Sequence, residues 1–320
     1  MEYLGEREQT AASRLQEYFE NEPGFAFEKV AGSGGFGVTL CFRNKNADPN
    51  GHRMIAVKAP TWENEDVPRE RQSLRPLVWA QHSVTLLAVQ FESENAEWLK
   101  KNTIITEYLE NGTLSSLKRR LGGGYPRRKL PNRVLWAIFL CLVRGCVGLA
   151  YPPGSRTKLP RNPRDQLLET IPDGNRPPRE LYHGDLHEAN IMIGDFEPRE
   201  HRNFPVLKFI DFGLSSEKED AVSGNIMDIG QVMCNLMWSG WDISDLMIDK
   251  NSANILDPNL DDELLDWATQ CIEDDPADRP SLSALLSAIR PNLQKTYPNI
   301  PEESDRFISE LIQRNILDAE

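Results

Sequence analysis

The sequence predicts an α+β fold in two lobes, a small β-rich N-terminal lobe followed by a larger, mainly helical C-terminal lobe. Short runs of strand-forming residues, at 25–30, 38–42 and 54–58, crowd together before residue 60 with turn-forming residues between them. Later apolar residues recur at helical spacing, and the longest apolar run, 134–143, ends at Arg144. That length suits a buried helix and is far too short to span a bilayer. With 320 residues, 39% of them hydrophobic, the chain can bury a sizeable core as one two-lobed unit or two small domains.

Taken in order, residues 11–19 form a predicted helix with Leu15, Tyr18 and Phe19 on one side, within an N-terminal extension over 1–24. The small lobe, 25–109, opens with two strands on either side of Gly32-Ser33-Gly34-Gly35-Phe36-Gly37. Glycines at such a turn let the backbone approach a phosphate that a Cβ would hold away. The turn Asp48-Pro49-Asn50-Gly51 leads to a third strand, Met54-Ile55-Ala56-Val57-Lys58. Residues 67–77 carry Pro68 at their start, with Leu74 and Leu77 one and two turns beyond Glu70. This predicts a helix that offers Glu70 to Lys58. Glu63 and Glu65 are rivals, but they precede Pro68 and have no apolar stripe beneath them. The run from Thr103 reads as a buried strand that opens into a turn at Asn111-Gly112.

The large lobe, 110–290, contains the apolar helix and then a stretch dense in Pro and Arg, 151–180, interrupted only at 165–170. That composition predicts an extended, mobile insertion rather than a packed subdomain. Farther on, Asp228-Ile229-Gly230 is expected to open an apolar helix over 231–238. In the C-terminal segment, 291–320, Phe307, Ile308, Leu311, Ile312, Ile316 and Leu317 fall on one face of a helix that starts after Pro301. Such a stripe is expected to pack onto the large lobe, with partner binding as the alternative.

The chemistry concentrates in two motifs. Residues 183–190 read His-Gly-Asp-Leu-His-Glu-Ala-Asn, and Ile210-Asp211-Phe212-Gly213 follows. An Asp, an Asn five residues on and a second Asp downstream are the groups phosphoryl transfer needs. One carboxylate orients an attacking hydroxyl, while amide and carboxylate oxygens suit Mg²⁺. The pair resembles the catalytic loop and metal-binding segment of protein kinases, H-R-D-L-x-x-x-N and D-F-G. Gly184 stands where most of those carry Arg, and His187 where serine/threonine kinases carry Lys. The segment 214–227 is short and holds no Ala-Pro-Glu. The chain is identified as a divergent member of the protein kinase superfamily. Its loop and shortened segments also resemble kinase-like proteins associated with filamentous fungi.

This resemblance covers about residues 25–290. It implies a bilobal protein-kinase-like fold, with ATP and Mg²⁺ as cofactors. Asp185 would be the base, Asn190 and Asp211 the Mg²⁺ ligands, Lys58 the grip on the α- and β-phosphates and Glu70 its anchor. Gly32, Gly34 and Gly37 would cover the phosphates. Thr39 and Ala56 would roof the adenine and Met192 floor it. Thr106 would guard the back of the pocket, with the backbone of Glu107 to Leu109 on the adenine edge. His187 would steady the γ-phosphate, most strongly when protonated. Asp275-Pro276-Ala277-Asp278-Arg279-Pro280 matches a motif whose Arg pairs with the Glu of Ala-Pro-Glu. Arg279 has either lost that partner or found another in Glu217, Glu219 or Asp220. With Gly at 184 and so short a segment, Ser215, Ser216 and Ser223 are not expected to act as a phosphorylation switch.

Three functions fit these residues: a serine/threonine-protein kinase acting on an unidentified protein substrate, a small-molecule phosphotransferase, and a scaffolding pseudokinase. The aminoglycoside and choline kinases share His-Gly-Asp-Leu-His-x-x-Asn, whereas Ala56-Val57-Lys58, Phe212-Gly213 and the Asp-Pro-x-x-Arg-Pro motif favour the first. A formal net charge of −13 argues against nucleic acid and anionic membrane as partners. The first residues lack the layout of a signal peptide, so a cytoplasmic location is expected, with the nucleus as alternative. Cys41, Cys141, Cys146, Cys234 and Cys271 form no C-x-x-C, which suits reduced, buried thiols and argues against a zinc site.

Overall fold

A four-stranded antiparallel sheet in the order β1-β2-β3-β4 organises the N-terminal part. The strands are β1 (Phe25–Gly34), β2 (Gly37–Asn44), β3 (Met54–Ala59) and β4 (Ile104–Glu107). The computed structural model describes residues 5–319 except 35–36, 48–51, 62–66, 123–128, 154–165, 175, 198, 203 and 238–257. Among the features expected above, Gly35, Phe36, the turn at 48–51, Glu63, Glu65 and Trp238 lie outside the described residues.

Strand residues alternate between the two faces of a sheet, and cross-strand partners share a face. Leu40, Ile55, Val57 and Ile105 are buried against helix α1 (Glu6–Glu20), which contributes Ala12, Leu15 and Phe19 to one hydrophobic core. The Phe19 ring stacks on Phe42 at 4.0 Å between centroids. The N-terminal helix is therefore an integral layer of this core. The opposite face carries Thr39, Ala56, Lys58 and Thr106, because Thr39 pairs with Lys58 and Ala56 with Thr106. Helix α2 (Val67–Leu74) continues as a 3₁₀ turn through Leu77, and the short α3 (Ala96–Asn102) precedes β4.

A second, larger core surrounds α5 (Asn132–Ala150), in which every residue except Arg133 is buried. The helix is long and apolar enough to cross a bilayer, but its surface is covered by the protein. Fully burying side chains such as Phe139 and Leu142 stabilises the fold by about 1.5–3 kcal/mol each. α4 (Leu114–Leu121), α6 (Ala221–Met237), α7 (Asp262–Cys271), α8 (Leu282–Asn292) and α9 (Asp305–Ile312) supply the rest of this core. Two small antiparallel pairs complete the C-terminal part: β5 (Leu181–Tyr182) with β8 (Ser216–Glu217), and β6 (Ile191–Ile193) with β7 (Leu207–Phe209). The whole is a mixed α+β fold, a small antiparallel sheet followed by a helical part.

Three expectations change. Helix α6 begins at Ala221 rather than at Asp228, because the carboxylate of Glu180 accepts the Ala221 N–H and left-handed Asp220 ends the preceding turn. Residues 166–171 of the insertion are packed, not extended and mobile. Leu167 N–H donates to Trp79, Gln166 donates to the Thr85 hydroxyl, Glu169 is fully buried and Ile171 packs on the larger core. The interruption of the Pro/Arg tract is thus where the chain re-enters the protein. On α9 and the π-helical turn that continues it through Leu317, Ile308, Leu311, Ile312 and Ile316 face the larger core as expected, while Leu317 is exposed.

Candidate active site

Two clusters meet where the N- and C-terminal parts touch. The first is centred on Lys58, on the α1-free face of the sheet. Its Nζ lies 2.9 Å from Glu70 Oε2 and 2.7 Å from Asp211 Oδ1. Helix α2 presents Glu70 because Val67 and Leu74 bury the same side of the helix. Burial alone would lower the Lys58 pKa, but the charges of Glu70 and Asp211 outweigh it and raise the value, so the ammonium is retained. Burial pushes the Glu70 carboxyl up, and Lys58 pulls against that push.

The second cluster is the loop 183–190. Asn190 Nδ2 donates to both the backbone carbonyl and the Oδ2 of Asp185, at 2.8 Å each. This fixes the Asp185 carboxylate and leaves Asn190 Oδ1 free of that bond. The β6–β7 pair joins the clusters. Ile191 pairs with Phe209, so Asn190, just before β6, and Asp211, just after β7, emerge at the same end. Ile210 N–H donates to the Asn190 carbonyl at 3.0 Å.

Other residues hold this arrangement, and most had no local sequence signal. His183 is fully buried between Ile210, Phe209 and Phe212. One ring nitrogen lies 3.0 Å from the Ile210 carbonyl and the other accepts Asp185 N–H. Burial drives its pKa down to about 4, which keeps the ring neutral. Asn225 on α6 accepts His183 N–H and donates to the Leu181 carbonyl, tying the loop to the helix. Asp211 and Gly184 both have left-handed backbones, with φ of 59° and 84°. A Cβ on Gly184 would lie 2.4 Å from the Leu214 carbonyl oxygen, so the loop and the segment after Gly213 touch at the one place where Arg is usual in kinases.

The remaining expected residues sort by face. Thr39, Ala56 and Thr106 share the Lys58 face and are half-buried. A Cβ on Gly32 or Gly34 would meet nothing within 4 Å, whereas on Gly37 it would strike the Ala59 carbonyl. Met192 is half-buried beside Thr113, and Leu109 packs on the larger core. The Glu107 side chain turns to the other face. It is buried against Lys208 Nζ at 2.6 Å, and there the ammonium and a Thr85 N–H outweigh burial and hold its carboxyl below the usual range. A cavity of about 870 Å³ lies on that side, lined by Gln81, Glu107, Gln166 and Lys208, and it includes none of Lys58, Asp185, Asn190 or Asp211. His187 caps its own loop, its Nδ1 accepting Ala189 N–H, with Nε2 3.5 Å from Asp185 Oδ1. Arg279 pairs with none of Glu217, Glu219 and Asp220. It donates instead to the backbone carbonyls of Glu273, Asp274 and Ser223 and to the Ser223 hydroxyl.

Compared with models of known protein families and with curated proteins, the chain finds no match in either.

Proposed function

We propose that the chain has a bilobal protein-kinase-like fold and transfers the γ-phosphoryl group of ATP to a Ser or Thr hydroxyl of a protein. The observation that carries this reading is the joining of Lys58, Glu70, Asp211, Asp185 and Asn190 at one end of the β6–β7 pair. The residues fit the nucleotide and metal. The glycine hairpin has open space where side chains would stand at Gly32 and Gly34. Asn190 and Asp211 supply the hard oxygen donors that Mg²⁺ takes, and Lys58 supplies a fixed cation. When bound, Mg²⁺ would neutralise charge on the transferring group.

The chain's own residues divide the work. Lys58, anchored by Glu70, binds phosphate oxygens. Asp185, oriented by Asn190, accepts the proton of the attacking hydroxyl. Asn190 Oδ1 and Asp211 hold the metal. Thr39, Ala56 and Met192 enclose the base, with Thr106 behind it. Catalysis of this kind is positioning plus electrostatics, which is what a preformed set of charged and amide groups can provide.

A second reading, a small-molecule acceptor, is favoured by one feature. Only residues 214–220 separate Gly213 from α6, too few to form a shelf for an extended peptide. Radiolabelled ATP offered to the protein alone, to mixed proteins and to a protein-free metabolite extract separates the cases. Label in protein supports the first reading, and label only among small molecules supports the second. An ATP-dependent thermal shift with no transfer would leave the ATP-binding scaffold.

A further inference from the structure

Away from this site, four side chains from distant parts of the sequence meet in the larger core. His82 lies in the loop after α2, Cys141 on α5, Glu169 where the insertion returns and His201 between β6 and β7; all four are fully buried. His82 Nε2 lies 3.1 Å from His201 Nε2, and Cys141 Sγ lies 3.3 Å from His201 Nδ1. The donor atoms of His82, Cys141 and His201 all fall within 4.8 Å of one another. Behind them, Glu169 Oε2 is 2.7 Å from His82 Nδ1, while Oε1 accepts His82 N–H. This fixes the ring so that Nε2 faces the cluster, the arrangement in which a carboxylate orients a metal-bound histidine.

Charge gives a second, independent indication. A buried carboxylate needs a compensating positive charge. Among the described residues no Lys or Arg side chain pairs with the Glu169 carboxylate; its ion-pair partner is the His82 ring, which supplies a positive charge only if protonated. Arg144 is beside it, yet its guanidinium goes to Glu200 and to the Glu169 backbone carbonyl. One divalent cation bound by a Cys141 thiolate would leave the group neutral, since Glu169 and the thiolate together carry two negative charges. A monovalent ion would not.

We propose that His82, Cys141 and His201 bind one zinc ion, with Glu169 as the group that holds His82 in place. Two imidazoles and a thiolate are ligands that zinc prefers, and three of them leave a fourth position for water. On binding, the Sγ–H bond breaks, Sγ donates its electron pair to the metal, and the proton passes to buffer. The His201 ring turns so that one nitrogen faces the ion. All three ligands are buried, so the role proposed is structural, although structural zinc usually has four protein ligands. It ties the loop after α2, the return of the insertion and the turn before β7 to α5. The scattered cysteines argued against zinc in the sequence only because the partners of Cys141 are histidines 59 and 60 residues away.

The competing state is a hydrogen-bond chain without metal, running from Glu169 through His82 and His201 to Cys141, whose sulfur accepts Leu207 N–H. Elemental mass spectrometry of the untagged full-length protein, dialysed without chelator, distinguishes them. The expected result is about one zinc per chain, as for a single structural site. Protein stripped with dipicolinate should melt at lower temperature and recover with added zinc. Refilling with Co²⁺ should give a thiolate-to-cobalt charge-transfer band that Cys141→Ser lacks. If Cys141→Ser does not fold, blocking of the band by prior zinc addition to the wild type serves the same purpose. A protein that arrives metal-free, gives no cobalt band and is not stabilised by zinc overturns the proposal, as does copper in place of zinc. These readouts involve no phosphoryl transfer, so they stand or fall separately from the proposed activity.

Discussion

At the residue scale, three positions make sharp tests. Gly184 has a φ of 84° and no room for a Cβ. Gly184→Ala should therefore cost about 1–3 kcal/mol of stability in urea unfolding. An unchanged midpoint would contradict the close approach to Leu214. His187 is expected to steady a phosphate as a cation, and its Nδ1 also lies on the Ala189 N–H. The pH–rate profile of the wild type should then show a limb that His187→Gln lacks, and superimposable profiles would leave the ring only its capping role. Asp228 is half-buried in α6, with Oδ1 on the Tyr182 hydroxyl and Oδ2 without a partner. Burial pushes its carboxyl up to about 6, against an ordinary value of 3.8. The unfolded chain loses that proton first, so this group costs stability as pH rises through the interval between the two values. Asp228→Asn should gain about 1–2 kcal/mol at pH 7, allowing for its partial exposure, and nothing below the ordinary value. A variant that is less stable at pH 7 would show that the carboxylate has a cation partner after all.

At the element scale, the regular elements were legible and the junctions were not. Alternation at 54–58 and the Leu spacing after Glu70 located β3 and α2, because each depends on a local period, while the Lys58–Glu70 pairing came from the family resemblance. The start of α6 was missed because its cap, Glu180, comes from the end of the insertion. The packing of 166–171 was missed for the same reason, since the groups that bury Glu169 and bind Leu167 lie far away in sequence. The early start of α6 also bears on regulation. Ser215 is buried, bonded to Ser73 and to the Phe212 carbonyl, and Ser223 is held by Arg279. Replacing Ser215, Ser216 and Ser223 together by Ala should preserve turnover. The loss of the Ser215 bonds should cost about 1 kcal/mol of stability. Lost turnover that acidic replacements restore would reveal a phosphorylation switch that this geometry does not provide.

At the scale of the whole molecule, two cores lie on either side of the candidate site, one under the sheet and one around α5, and the charged groups gather between them. That layout explains why the site residues could be named from short motifs, whereas Asn225 and the His82–Cys141–His201 cluster emerged only from the assembled fold. The central claim is phosphoryl transfer with Asp185 as base, and it is tested most directly by ATP turnover in Asp185→Asn beside the wild type, with Mg-ATP binding followed by thermal shift. The variant keeps the amide that can bond Asn190 and all of the phosphate grip proposed for Lys58, but it cannot take a proton. Turnover should fall by about 10²–10⁴-fold, the contribution of a positioned base, while the nucleotide-induced shift persists. Equal turnover in the two proteins, or a wild type that Mg-ATP does not stabilise, would contradict the account.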